Sequence, residues 1–243
     1  MAWPATFWGP EQFDAQAWSE MVGGIDALEE SEAIVRALAG VASVVDVGGG
    51  TGLITRAVAA RVAPVVVVEP DPMQRANLPE QERIWVVEGR AESVPLAARE
   101  VDAGLATWVL QYTSDPAAAV RELARVARRR VVIVQAAPAN QLVEVFNLEA
   151  GVAGNPPAHH GWLLAQAAEI LEAAGFSVEL TAVPTTVAGR DAAAMADMLS
   201  RLHFAGHPRV AEMRAATEPF IAERLARQGH MRDDAVMLVA QRA

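Results

Sequence analysis

The chain has 243 residues, which suits one elaborated α/β domain or two small ones, and 52% of them are hydrophobic, enough to bury a sizeable core and exclude long-range disorder. The formal net charge of -10 argues against DNA or RNA as a substrate, because phosphate contacts dominate such affinities; neutral or cationic small molecules and peptides stay open. Cysteine is absent, which excludes disulfides, thiolate zinc sites and a cysteine nucleophile; lysine is absent too, which excludes a lysine-completed phosphate loop.

The opening stretch, MAWPATFWGPEQFDAQAW, has no basic n-region and no apolar h-region, and no run in the chain approaches the roughly 18 apolar residues of a membrane span. A cytoplasmic protein without membrane contact is therefore expected. Trp3, Phe7, Trp8, Phe13 and Trp18 crowd this stretch, and residues 1–30 read as an N-terminal aromatic segment, either a lid over ligands or packing for a sheet edge. Residues 31–243 read as the main domain, starting with a helix over Ser31 to Leu38. Strands are predicted at Val44–Val47, Val65–Val68, Ile84–Val87, Ala103–Leu110 and Val131–Val134, with helices between them at Ile54–Val62, Pro72–Asn77 and Pro116–Ala127. Asp115 is the N-cap of the last of these helices and Pro116 its first residue. Arg128 to Arg130 is read as that helix's basic C-terminus, complementing its dipole. Residues 139–161 are mixed, with a Gly-Asn-Pro-Pro loop. A helix at Leu163–Ala174, a strand at Phe176–Val183, mostly helical residues 190–228 and a strand at Ala235–Gln241 complete the pattern. The alternation implies a doubly wound α/β sheet with a helical insertion between its last two strands.

The strongest motif is VVDVGGGTGLIT, Val44 to Thr55, which joins a buried strand to a helix. Gly48, Gly50 and Gly52 stand at G-x-G-x-G spacing, where a missing Cβ allows sharp turns and close ligand approach. A dinucleotide loop would need glycine where Leu53 stands, and Asp46 would repel a pyrophosphate but could pair with the ammonium of an amino-acid ligand. Glu69 ends the next strand, where a carboxylate can accept from both hydroxyls of a ribose.

With these residues on the page, the chain from about Ser31 onward resembles the class I S-adenosylmethionine (SAM)-dependent methyltransferases, specifically the UbiE-like small-molecule group. The resemblance implies a seven-stranded Rossmann-like sheet whose last strand is antiparallel, with SAM as methyl donor and S-adenosylhomocysteine as product. It assigns Asp46, Gly48, Gly50 and Gly52 to the methionine portion, Glu69 to the ribose and the Gly89-Arg90-Ala91-Glu92 stretch to the adenine, and Pro70 counts among the cofactor contacts. Arg90 stands where the family has an Asp, so adenine is expected to rely on the backbone at Ala91 and on packing. LQYTSDP, Leu110 to Pro116, matches the family motif after the fourth strand, but Gln111-Tyr112 replaces its His-His pair, so no acid–base role carries over.

The expected reaction is methyl transfer to an oxygen or nitrogen of a small molecule or peptide. Trp108, which also counts among the cofactor contacts, Gln111 and Tyr112 are expected to form the wall between cofactor and acceptor. The acceptor side is expected from the aromatic segment, the Asn155-to-Trp162 loop and the helical insertion at 190–230. Tyr112, His159 and His160 are the candidate catalytic residues, the histidines as bases and the phenol as hydrogen-bond partner. No metal is expected from His159, His160, His203 and His207. A monomer or homodimer that meets neither nucleic acid nor membrane is expected. The rival readings are a SAM-binding protein of this fold that transfers no methyl group, and an RNA methyltransferase.

Overall fold

The protein was described as a computed structural model covering residues 14–78, 82–157, 161–189 and 191–242. The β-branched runs become strands β2 (Val44–Val47), β3 (Val65–Glu69), β4 (Ile84–Glu88), β5 (Val101–Thr107), β6 (Ala127–Ala136), β7 (Phe176–Val183) and β10 (Ala235–Arg242) of one sheet, in the order β4-β3-β2-β5-β6-β10-β7. The five strands from β4 to β6 are parallel neighbours, and β10 slots antiparallel between β6 and β7. Helices cover both faces, which is why the inner strands are apolar along most of their length, with Asp46, Glu69, Asp102 and Arg128 to Arg130 as the charged exceptions. On one face α5 (Pro116–Val126) and α7 (Leu163–Ala173) bury Leu123, Leu164 and Leu171 against Val45, Ile133 and Leu238. On the other, α2 (Leu28–Ala37) and α3 (Leu53–Arg61) bury Ile34 and Val58 against Val44, Val65, Leu105 and Val132. The short α4 (Pro72–Asn77) follows β3.

A third core lies outside the sheet. It joins α1 (Ala15–Gly24), α6 (Gln141–Ala153), α8 (Ala192–Phe204) and α9 (Val210–Gln228) through Met21, Leu142, Phe146, Leu199, Leu202, Met213 and Ile221. A small antiparallel sheet ties these parts together: β8 (Thr186–Ala188) pairs with both β1 (Ile25–Asp26) and β9 (His230–Arg232). The segment before residue 31 is thus stitched to the insertion between β7 and β10, and that insertion holds two short strands besides its helices.

Three local expectations change. The mixed stretch after Pro138 contains α6, capped by Asn140, whose side chain accepts from the Val143 N–H at 3.0 Å. Arg128 to Arg130 lie in β6, not at a helix end. They still serve a helix C-terminus, that of α2: Arg130 donates to the carbonyls of Ala37 and Ala39, and Arg129 to that of Gly40. Arg128 instead pairs with Asp102 at 3.0 Å. The predicted strand from Ala103 to Leu110 stops at Thr107, because Trp108 turns at φ 60° and a 3-10 turn follows at Leu110–Tyr112.

Candidate functional site

Beyond the carboxyl ends of β2, β3 and β5 the loop Gly48–Gly52 opens into α3, and two adjoining cavities meet over it. They enclose about 840 and 970 Å³, counted to their open mouths, and share Trp18, Gly48, Gly50, Thr107, Trp108 and Tyr112. Such a crevice outside the strand ends is where open α/β sheets bind ligands.

The glycines have separate structural reasons. A Cβ on Gly48 would come within 2.6 Å of Val109 Cγ2, and at Gly52, which starts α3 at φ 76°, within 2.7 Å of Leu78 Cδ2. Gly49, which sequence reasoning passed over, is as crowded: its Cβ would lie 2.6 Å from Val67 Cγ1 and 3.1 Å from the Thr55 hydroxyl. Gly50, at φ 52°, is the open one, with nothing nearer than Trp18 Nε1 at 3.7 Å, so its bare backbone faces the cleft.

In the cavity of about 970 Å³, Glu69, Pro70, Asp71, Gln74, Ala91 and Glu92 add to the shared wall. Glu69 Oε2 accepts from the Gly50 N–H at 3.2 Å and Oε1 from the Asp71 N–H at 3.0 Å, leaving further lone pairs for a ligand. Burial raises its pKa and those two N–H groups work against the rise. Glu92 is held by Ser114, whose N–H and hydroxyl donate to Oε1 at 2.7 and 2.8 Å. Burial pushes Glu92 up, but the Ser114 bonds and the nearby Arg90 outweigh it and hold the carboxyl below its usual range.

Asp46 and Gly52 do not line either cavity. Asp46 lies buried beneath the loop, where Oδ2 accepts from the Thr55 hydroxyl at 2.5 Å and Oδ1 has no partner among the described residues. Burial, opposed by that hydroxyl and reinforced by Glu69, pushes its pKa up to about 6.

The cavity of about 840 Å³ is walled by Met21, Val22, Ile25, Leu142, Phe146 and Leu202, with Glu30, Gln111, Thr185 and Asp233 among its polar residues beside Tyr112. Glu30 receives Trp108 Nε1–H on both oxygens at 3.2 Å, and Asp233 Oδ1 receives the Asn140 amide at 2.7 Å. Burial pushes Glu30 up to about 7 and Asp233 up to about 6. The Tyr112 hydroxyl stands 3.1 Å from His203 Nε2, and the His203 ring packs tilted against Phe146 with ring centres 4.4 Å apart. Burial raises the phenol's pKa, opposed by a hydrogen bond with Gln111 and reinforced by Asp233, so at neutral pH Tyr112 is a hydrogen-bonding group and not a base.

Of the residues proposed from sequence, the structure gathers Gly48, Gly50, Glu69, Pro70, Ala91, Glu92, Trp108 and Tyr112 around one cleft, and Trp18 of the aromatic segment joins them. Trp3, Phe7, Trp8, Phe13, His159 and His160 lie outside the described residues. From the loop expected on the acceptor side, Gly161 borders a separate hollow with Gln135, Pro138 and Leu164. Of the insertion expected at 190–230, Leu202 is the described residue that reaches the cavity, Thr185 and Asp233 reach it from outside those bounds, and α9 lines none of it. Sequence reasoning passed over Glu30, Thr185, Asp233 and the part His203 plays behind Tyr112; no motif or spacing marks them. Among the described residues, no three His, Asp or Glu side chains are grouped to hold a metal ion.

Comparison with known proteins agrees with this geometry. Residues 45–134 match a family model described as a methyltransferase domain. The chain is 34% identical over 108 residues to the chloroplastic 2-methyl-6-phytyl-1,4-hydroquinone methyltransferase 2 of Oryza sativa subsp. japonica, across 42% of this chain and 30% of that protein. It is 39% identical over 89 residues to an uncharacterised methyltransferase of Mycobacterium tuberculosis, across 35% of each. The chain thus spans about a third of the length of the curated relatives it matches. The solved structure of a methyltransferase from Bacillus halodurans superposes with a TM-score of 0.63 at 21% identity, across 87% of this chain and 96% of that one. Residues 45–134 match the methyltransferase-domain family model, and the chain that carries them shares its fold, an α/β arrangement with a seven-stranded mixed sheet, with that solved structure.

Proposed function

We propose that the protein is a methyltransferase that uses SAM to methylate an oxygen or nitrogen of a small molecule seated in the apolar cavity. The observation that carries this reading is the pair of cavities meeting over the glycine loop, one bearing a carboxylate at the end of β3 and the other apolar, with Trp108 and Tyr112 in both walls. The residues fit the donor: a bare loop backbone at Gly50, an acceptor-rich carboxylate at Glu69 and, beneath the loop, a buried Asp46 oxygen with no partner among the described residues. Gly48, Gly50, Glu69, Pro70, Ala91, Glu92 and Trp108 would hold it, with Asp46 and Gly52 shaping the loop from below. When bound, SAM supplies a methyl group on a sulfonium, already a strong electrophile. The chain's own task is then to align the acceptor at about 3–3.5 Å and keep water out. Trp18, Trp108 and Phe146 exclude water, and Tyr112, backed by His203, orients a polar group.

The side chains lining the two cavities include five carboxylates and one arginine, Arg90, which favours a neutral or cationic acceptor over RNA. Calorimetry is expected to show S-adenosylhomocysteine binding that falls at least roughly tenfold in Glu69→Ala, which removes charge-assisted bonds to the ribose. Unchanged affinity in that variant overturns the ribose assignment, and a preference for NAD overturns the whole reading. Incubation with methyl-labelled SAM and a metabolite extract separates the rival: binding without transferred label marks a protein of this fold that moves no methyl group.

A further inference from the structure

The inner end of the apolar cavity is rich in hydrogen-bond acceptors and poor in donors. Glu30 and Asp233 both line it, one from the first turn of α2 and the other from the turn between β9 and β10. Burial raises Glu30, and the charge of Asp233 adds to that rise. Each receives a neutral donor, Trp108 Nε1–H or the Asn140 amide, and Thr185 Oγ1 lies 3.5 Å from Glu30 Oε2. Among the described residues lining this cavity there is no Arg or His. A separate observation points the same way: Gln111 lines the same cavity, is 3% exposed, and its carbonyl Oε1 has no partner among the described residues. Two carboxylates that are 3% and 5% exposed and have no cationic side chain beside them in the cavity wall among the described residues carry a large desolvation cost, which a ligand with N–H donors and a positive charge would relieve.

We propose that this end of the cavity seats a protonated amine, so that the acceptor is an apolar amine and the Glu30–Asp233 pair takes its proton before transfer. The proposal rests on the methyltransferase reading and names its substrate class. Met21, Val22, Ile25, Leu142, Phe146 and Leu202 match the apolar body, and Gln111 Oε1 takes a second N–H. The proton passes from the ammonium to a carboxylate oxygen of the pair. The freed nitrogen lone pair then forms the new N–C bond while the methyl's C–S bond breaks, and sulfur keeps that electron pair. Burial suits the pair to this task, since carboxyls pushed up toward 6 and 7 hold a proton that ordinary ones would release.

The test uses three probes of one shape: phenethylamine, phenethyl alcohol and 3-phenylpropionate, titrated into the full chain saturated with S-adenosylhomocysteine at pH 7.5. The amine is expected to bind at least tenfold more tightly than either of the others. In Glu30→Gln and Asp233→Asn, S-adenosylhomocysteine affinity stays within twofold while the preference for the amine falls at least fivefold. Alcohol or carboxylate binding as tight as the amine's, no binding of any probe, or variants that keep the full preference would each overturn the proposal. If S-adenosylhomocysteine itself does not bind, the methyltransferase reading has failed instead, and the two failures are told apart in the same instrument. The ranking in the unaltered protein decides the matter even if a variant does not fold.

Discussion

Gly48 combines φ 71° with a Cβ position 2.6 Å from Val109 Cγ2, so an added methyl group both strains the backbone and pushes the wall of the cleft. Gly48→Ala is expected to lower S-adenosylhomocysteine affinity at least roughly tenfold, since a shift on the order of 1 Å misaligns the loop amides. Titration showing wild-type affinity would mean that Val109 gives way freely. The carboxylates divide sharply in how far the sequence reveals them. Glu69 is legible because it sits at a set distance after a recognisable loop, at the end of a β-branched run. Glu30, Thr185 and Asp233 are not, because they come from three remote segments, and their environment, burial beside Trp108 and Asn140, exists only after folding. Trp108 was anticipated as a wall, yet its positive φ and its bond to Glu30 have no counterpart in the one-dimensional pattern.

At the scale of elements, Asn140 joins α6 to the site. Its Oδ1 caps the helix through the Val143 N–H, and its Nδ2 donates to Asp233 Oδ1 at 2.7 Å and to the Asp234 carbonyl at 2.9 Å. Asn140→Ala removes a cap worth about 1 kcal/mol and leaves a buried carboxylate without its donor, so unfolding in urea is expected to show a loss of about 2 kcal/mol or more. A loss under about 0.5 kcal/mol would show that neither bond matters to the fold. The strands and helices around β2, β3 and β5 were readable because β-branched runs and caps such as Asp115 act locally: Asp115 accepts from the Ala118 N–H at 2.8 Å. Helix α6 was missed although Asn140 precedes it and Gly154 ends it. Its buried face, Leu142, Val145, Phe146, Glu149 and Ala150, has helical spacing, but a glutamate in the stripe breaks the apolar signal. The three-stranded sheet is invisible for another reason: two- and three-residue strands carry no periodicity, and β1 pairs with β8 across most of the chain while β8 pairs with β9 across the two insertion helices.

For the molecule as a whole, the buried carboxylates set how stability varies with pH. Glu149 is wholly buried, neither oxygen has a hydrogen-bond partner among the described residues, and burial pushes its pKa from 4.5 to about 8. The folded state therefore binds more protons than the unfolded one between those values, and stability falls as pH rises through that window by up to about 1.4 kcal/mol per unit for this residue. Glu30, Asp46 and Asp233, all raised, act in the same direction up to about pH 7. Glu149→Gln, of nearly the same shape, is expected to raise the melting temperature at pH 8 and change it little at pH 5; equal effects at both would show that Glu149 is not protonated in the folded state. By itself the sequence determined the parallel sheet, the position of the glycine loop at its switch point and the carboxylate ending the next strand. Each of these is signalled locally, by β-branched runs, caps and glycine spacing, where pattern and spacing carry the information. Only the tertiary structure decided the acceptor side. There α1, α2, α6, α8 and the turns before β8 and β10 bring single residues together, and a cavity's chemistry is set by which side chains lose water in company.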